Sequence, residues 1–303
     1  MTWIAVARKD VRDAIRSYWL WGLAAVLSLL LAIGPLLIVG GFIQMSQPQN
    51  GNAVTTDVYV QLMLGVLSFF VPIAAIILAY ESITGERDSG TLKLLLSLPH
   101  SRLDVVVGKA LGRGAVVTTA ILIAFAVAAV TLLATPLEFA AANFLGFALL
   151  TVVLGLAFVG LSVGFSAAAD TSRRAMLGTV TMFVLFTLIW SSFASGLIRL
   201  LRENTDLTSE TLVPLHLFVK ILNPTEAYQT LVVSLLSGDP FFARVSLSGG
   251  SGLQGAINRQ AYAQALGGSV PFYLSDTVVA LVLVFWIVVV PLAGYWVFEE
   301  SDL

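Results

Sequence analysis

Six runs along the chain contain no ionisable side chain and are long enough to cross a bilayer, which takes roughly 20 mostly apolar residues in a helix. They extend over about Leu20 to Ile43, Val58 to Tyr80, Gly114 to Leu137, Phe139 to Ala169, Ala175 to Ile198 and Thr277 to Phe298. The runs are continuous rather than alternating, so they predict helices and not the strands of a barrel. Lipid offers backbone N–H and C=O groups no partner, and a helix satisfies them within one segment. The predicted fold class is an all-α integral membrane protein with six transmembrane helices. Pro35, Pro72 and Pro291 fall inside runs, where each predicts a kink or local break. Gly160, Gly164 and Ala168 recur at four-residue steps, a small-residue stripe that lets helices approach closely.

The segment before the first run has its own period. Ile4, Ala7, Val11, Ile15 and Tyr18 recur at three and four residues, with Trp3 and Trp19 nearby, while Lys9, Arg12 and Arg16 share another side. Residues 1–19 therefore read as an N-terminal amphipathic helix lying in the membrane interface; the competing reading is that these cations only mark the cytoplasmic side. That side follows from the basic residues. Eleven of the sixteen lie before the first run, between the second and third, or between the fourth and fifth, and the short opposite loops contain none. The bias places both termini of a multi-pass cell-membrane protein in the cytoplasm. The N-terminal charged stretch is too long for an ordinary signal-peptide n-region, so a retained first span is expected.

Composition narrows the function. Of 303 residues, 58% are hydrophobic and 11% charged, against about 25% charged in soluble domains. This excludes a water-soluble two-domain enzyme and a disordered scaffold. The net charge of −2 leaves no basic field for nucleic acid. Without cysteine there is no disulfide, thiolate metal site or thiol catalysis. The six runs hold no Asp, Glu, Lys, Arg or His, which disfavours an ion-coupled carrier. Thr179, Thr181, Thr187, Ser191, Ser192 and Ser195 give the fifth run a weakly polar character. Back-bonding to helix carbonyls or bonding between helices is favoured for them over lining a path.

The cytoplasmic stretch 81–109 carries the most information. Gly85-Glu86-Arg87-Asp88-Ser89-Gly90 is a polar turn, and Thr91 to Leu98 reads as a helix of about two turns stopped by Pro99. Leu92, Leu95 and Leu96 fall on one side of it. So short a helix is not stable alone and must dock on lipid or on a partner protein. The anionic-headgroup alternative assigns Arg87, Lys93 and Arg102 to lipid anchoring. Residues 199–276 form a long region on the opposite face. In it, Leu212 to Leu222 and Ala227 to Leu236 flank Asn223-Pro224-Thr225-Glu226 and read as a helical hairpin, re-entrant or interfacial; the competing reading, one irregular seventh span, would put the C-terminus outside and is disfavoured by Pro214, Lys220, Pro224 and Glu226. Gln254 to Gln264 reads as a short helix between glycine-rich arms, a plain linker or a binding place for an extracytoplasmic partner.

Glu86-Arg87, Gly90-Thr91-Leu92, Leu94 to Leu96, Pro99-His100-Ser101-Arg102 and Gly108-Lys109 occur in the order and spacing of the permease subunits of type 2 ABC transporters (ABC-2), which the chain resembles over its whole length. His100 stands where that family often has a small apolar residue. The resemblance implies a cytoplasmic coupling helix after the second span that seats in a separate P-loop ATPase subunit. It makes Glu86, Arg87, Gly90, Thr91, Leu92, Leu95, Pro99 and Arg102 the coupling loop and Arg173 and Arg174 a secondary cytoplasmic contact. It also implies a second permease copy, as a homodimer or heterodimer, and substrate export driven by ATP and magnesium on the partner subunit. Pro224, Glu226 and Tyr228 resemble an element of the small permeases that assist nitrous-oxide-reductase maturation. The rival to transport is a membrane relay that passes ATPase motion to an extracytoplasmic partner. A phosphate-binding motor loop is not formed: Gly85 and Gly90 have Walker A spacing, but Thr91 stands at the lysine position. His100 and His216 fall on opposite sides of the membrane and make no metal site together. No catalytic residue, cofactor site or metal site is expected in this chain.

Overall fold

Long apolar stretches with no water to satisfy their backbone become helices, and six helices of the computed structural model are long and apolar enough to cross a membrane. The structure describes residues 3–42, 55–91, 101–249 and 252–300. The described elements are α1 (Trp3–Ile15), α2 (Tyr18–Leu37, ending in a π-helical turn Ile38–Phe42), α3 (Asp57–Ala79), the short α4 (Thr84–Asp88), α5 (Arg102–Leu133), α6 (Ala141–Ala168) and α7 (Ser172–Val184). A second π-helical turn, Leu185–Ile189, joins α7 to α8 (Trp190–Asn204). Then follow α9 (Ser209–Ile221), α10 (Pro224–Ser237), α11 (Pro240–Ser246), α12 (Gly252–Ala265) and α13 (Asp276–Glu300). The chain divides into two compact units, Met1–Thr181 with Phe285–Leu303, and Met182–Val284.

Helices run through Pro35, Pro72 and Pro291 without interruption, although α2 widens into its π-helical turn three residues after Pro35. In the first unit Tyr59 sits fully buried and donates to the Leu31 carbonyl at 3.2 Å. Phe125 packs edge-on against Phe144 and Phe147. The stripe on α6 is a packing face: a Cβ on Gly160 would lie 2.6 Å from the Trp286 carbonyl oxygen, and one on Gly164 would lie 2.7 Å from that of Val290.

Two sequence expectations are refined here. The helix that carries the third apolar run begins at Arg102, well before the run's own start near Gly114, because Ser101 and Asp104 close a capping box at the start of α5. Lys109 and Arg113 thus belong to the helix, and both are paired, so the rule that charge ends a span truncated it. The second concerns α1. Its buried side is Val6, Asp10 and Ala14, set against α5, whereas Ile4 and Ile15 of the expected apolar stripe are half exposed. The hydroxyls of the fifth span that bond do so backwards along the helix, Thr179 to the Ala175 carbonyl and Ser195 to that of Ser191, both at 2.8 Å.

In the second unit α9 and α10 form the helical hairpin. Asn223 caps α10 by accepting from the Thr225 amide at 2.8 Å, with Pro224 in the first turn, where no amide is needed. The Asn223 amide also donates to the Phe186 carbonyl at 2.7 Å, closing a backbone acceptor near the π-helical turn. The buried Arg244 guanidinium is satisfied by Leu274 O at 2.7 Å, Thr230 Oγ1 at 2.8 Å and Asp276 Oδ1 at 2.5 Å. Lys220 donates to Leu247 O at 2.6 Å and lies 3.6 Å from Glu226. Its neighbour one turn away, His216, contacts the Tyr262 hydroxyl at 2.5 Å while its Nε2 is buried without a partner.

Burial, together with the Lys220 charge, pushes the His216 pKa down to about 4. The unfolded chain takes up this proton near about 6.5, so the folded unit is stabilised above that pH and loses stability as pH falls toward about 4. His216→Gln is therefore expected to flatten the acid side of the stability profile between about pH 7 and 5. Thermal unfolding of the two proteins across that range checks it; parallel profiles would remove the histidine from the account.

Candidate functional site

The polar turn after the second span folds back on the helix ends rather than standing free. Ser166 on α6 accepts from the amides of Ile83 and Thr84 at 3.0 and 3.2 Å and fixes where α4 starts. From that short helix three consecutive charged side chains leave in three directions. Glu86 reaches Lys109 of α5 at 3.0 Å and Lys9 of α1 at 3.3 Å. Arg87 donates to the Ala169 carbonyl at the end of α6, at 3.0 Å, and lies 3.6 Å from Asp170. Asp88 accepts from the Ser172 amide at 3.1 Å and from its hydroxyl at 2.6 Å, serving the first turn of α7, where a carboxylate is favoured by the exposed amides.

Lys109 is the centre of the cluster. Its ammonium lies 2.9 Å from Asp10 as well as 3.0 Å from Glu86, with the side chains of Lys109 and Asp10 only 5% and 3% exposed. Arg113, one turn further along α5, lies 3.0 Å from the other Asp10 oxygen and donates to the Leu78 carbonyl at the end of α3 at 2.8 Å. Such buried charges persist only when closely paired. The close approach of α1 to α5 makes the pairing possible. A Cβ on Gly108 would lie 2.7 Å from Val6 Cβ, and one on Gly112 would lie 2.9 Å from Asp10 Cβ, so glycine at both places brings Asp10 within reach of Lys109.

Arg102 closes the ring at the start of α5. It donates to the carbonyls of Phe298 and, at 2.8 Å, Glu299, satisfying the open acceptors at the end of α13. The buried Phe298 ring lies under two guanidinium groups, 5.5 Å from Arg87 and 5.2 Å from Arg102, a cation–π arrangement. Glu86, Arg87 and Asp88 of the turn, with Arg102, thus tie together α1, α5, α6, α7 and α13 at one end of the first unit, and Arg113 adds the end of α3.

The remaining expected site residues are placed as follows. Gly90 adopts φ +73°, a left-handed conformation that favours glycine, and ends the turn. Thr91 is exposed and bonds back to the Glu86 carbonyl and the Ser89 hydroxyl. Leu92, Leu95 and Pro99 lie outside the described residues. Arg173 is exposed, and Arg174 pairs with Asp170 on the surface. Sequence reading did not assign a site role to Asp10, Arg113, Ser166, Asp88 as a cap or Phe298, and it met Lys109 only as part of the Gly108-Lys109 motif element. A signal existed for Asp10 and Lys109: Asp10 sits among the cations of an amphipathic helix, and Lys109 follows a glycine at a span mouth. Among the described residues no three His, Cys, Asp or Glu side chains converge to hold a metal ion.

A family model described as "ABC-2 family transporter protein" matches residues 4–303. The chain is also similar to two proteins named "Probable ABC transporter permease protein NosY". That of Pseudomonas aeruginosa is 31% identical over 233 residues, covering 76% of this chain and 80% of the relative. That of Stutzerimonas stutzeri is 28% identical over 239 residues, covering 77% and 82%. With the family match spanning residues 4–303 and six helices long and apolar enough to cross a membrane among the described residues, the chain belongs to the ABC-2 transporter family, as a multi-pass membrane permease subunit.

Proposed function

We propose that the chain is one half of an ATP-driven exporter, pairing with a second permease copy and seating the loop 81–109 on a separate P-loop ATPase in the cytoplasm. The observation that carries this reading is the engagement of Glu86, Arg87, Asp88 and Arg102 with five helices, α1, α5, α6, α7 and α13. A displacement of the loop by a closing ATPase would be felt at once by α1, α5, α6, α7 and α13, since packed helices move as bodies. In this role Gly90, Thr91, Leu92, Leu95 and Pro99 present the docking surface. Glu86, Arg87 and Arg102 transmit its movement, Arg173 and Arg174 add a second contact, and ATP and magnesium are held by the partner. The concentration of cations at this end supports its cytoplasmic placement, with the region 199–276 outside. The resemblance of Pro224, Glu226 and Tyr228 to the maturation permeases, together with two relatives named NosY, supports service to nitrous-oxide-reductase maturation.

Co-expression with a candidate P-loop ATPase subunit and reconstitution into vesicles tests the proposal. Glu86→Gln and Arg87→Ala are expected to leave the complex assembled while lowering coupled transport at least about tenfold, the size of effect a lost charge-assisted hydrogen bond produces. Wild-type flux in both variants, or a chain that binds no ATPase, would defeat it. The second reading, a relay to an extracytoplasmic partner, draws on the unit Met182–Val284, which has its own buried polar contacts around Arg244 and Lys220. ATP hydrolysis by the complex without flux of any cargo favours the relay.

A further inference from the structure

The exposed side of α1 carries two stripes that the charge knot does not use. Arg8, Arg12 and Arg16 recur every four residues, all exposed, and none forms an ion pair among the described residues. Beside them Ile4, Val11 and Ile15 form one wall of an apolar groove of about 500 Å³, whose other wall is Leu111 and Ala115 of α5. A second apolar cavity of about 350 Å³, between α5, α6 and α13, is lined in part by the same Leu111 and Ala115. Trp3 lies at the end of the groove, 43% exposed, a residue suited to the boundary between headgroups and acyl chains.

We infer that this groove is a binding site for one anionic phospholipid. The groove offers two chemistries side by side, a row of guanidinium groups that match a phosphate and a dry channel with space for a hydrocarbon chain. A free phosphate or nucleotide would leave the channel empty, and a neutral lipid would leave the arginines unmatched. The lipid lies against both α1 and α5, so it bridges the two helices that Asp10 and Lys109 join on their buried side. The arginine row acts as a specific headgroup site rather than only as a marker of membrane sidedness.

Native mass spectrometry of the detergent-purified full chain, titrated with dioleoylphosphatidylglycerol or dioleoylphosphatidylcholine, reads the inference directly. The wild type is expected to retain one phosphatidylglycerol per chain with a preference of about tenfold over phosphatidylcholine. The combined Arg8→Gln, Arg12→Gln and Arg16→Gln protein is expected to lose the preference and keep weak binding of both lipids. Ala115→Phe, which fills the groove from an exposed position, is expected to lose both. Equal retention of the two lipids by the wild type overturns the inference, as does a preference that survives the triple substitution. Phosphatidylglycerol held undiminished by Ala115→Phe overturns it too, because the attraction would then be surface charge without a groove. The three arginines are exposed and form no ion pair among the described residues, so their variant tests the site even if the groove-filling one does not fold.

Discussion

Lys109→Met is expected to destabilise the protein by about 3–5 kcal/mol, the range seen when one partner of a buried ion pair is removed. Methionine fills nearly the same space, so the loss is electrostatic. Asp10, almost fully buried, retains Arg113 on one oxygen only, and Glu86 retains only the half-exposed Lys9. Two carboxylates are left short of positive charge where water reaches poorly. Thermal unfolding should register a fall of the midpoint on the order of 10 °C. Adding Glu86→Gln removes one orphaned charge, so the double variant should recover part of the loss, with a coupling of roughly 1–3 kcal/mol. Strict additivity, or a Lys109→Met protein as stable as the wild type, would mean that the knot does not hold α1 and α4 to α5.

The same residues show what could and could not be read from the chain. Six spans were legible because a run without charge has one meaning in lipid, and the α9–α10 hairpin because Asn223-Pro224 is a helix start in any setting. The true start of α5 was hidden by the rule that found the span: Lys109 and Arg113 look like an end until Asp10, ninety-nine residues away from Lys109 in the chain, is seen to neutralise them. Glu86 and Arg87 stood out as a motif, and their direction did not, since whether a side chain faces a partner protein or its own helix ends depends on the fold of several segments at once. Ser166 gave no signal. One hydroxyl on an apolar helix reads as back-bonding, yet here it accepts two amides from a distant turn.

The small-residue stripe yields the second large effect. A side chain on Gly294 of α13 would run into the backbone of Gly164 on α6, and nearby positions 160 and 164 meet backbone of α13 in the same way. Backbone atoms cannot rotate aside as a flexible side chain would, so any Cβ here forces the two helices apart and breaks contacts along their length. Gly294→Ala is expected to destabilise by about 3 kcal/mol, at the upper end for overpacking. Gly65 on α3 provides the opposite sign: a Cβ there meets nothing within 4 Å, so Gly65→Ala should be neutral or stabilise by up to about 1 kcal/mol through lower backbone entropy in the unfolded chain. Measuring both unfolding midpoints in one detergent separates close packing from helix propensity, because propensity alone predicts that both alanines help. If Gly294→Ala is as stable as Gly65→Ala, α6 and α13 do not pack backbone to backbone. Arg102 and Phe298 would then close the ring of helix ends on a last helix free to drift, and the loop could not pull α13 with it.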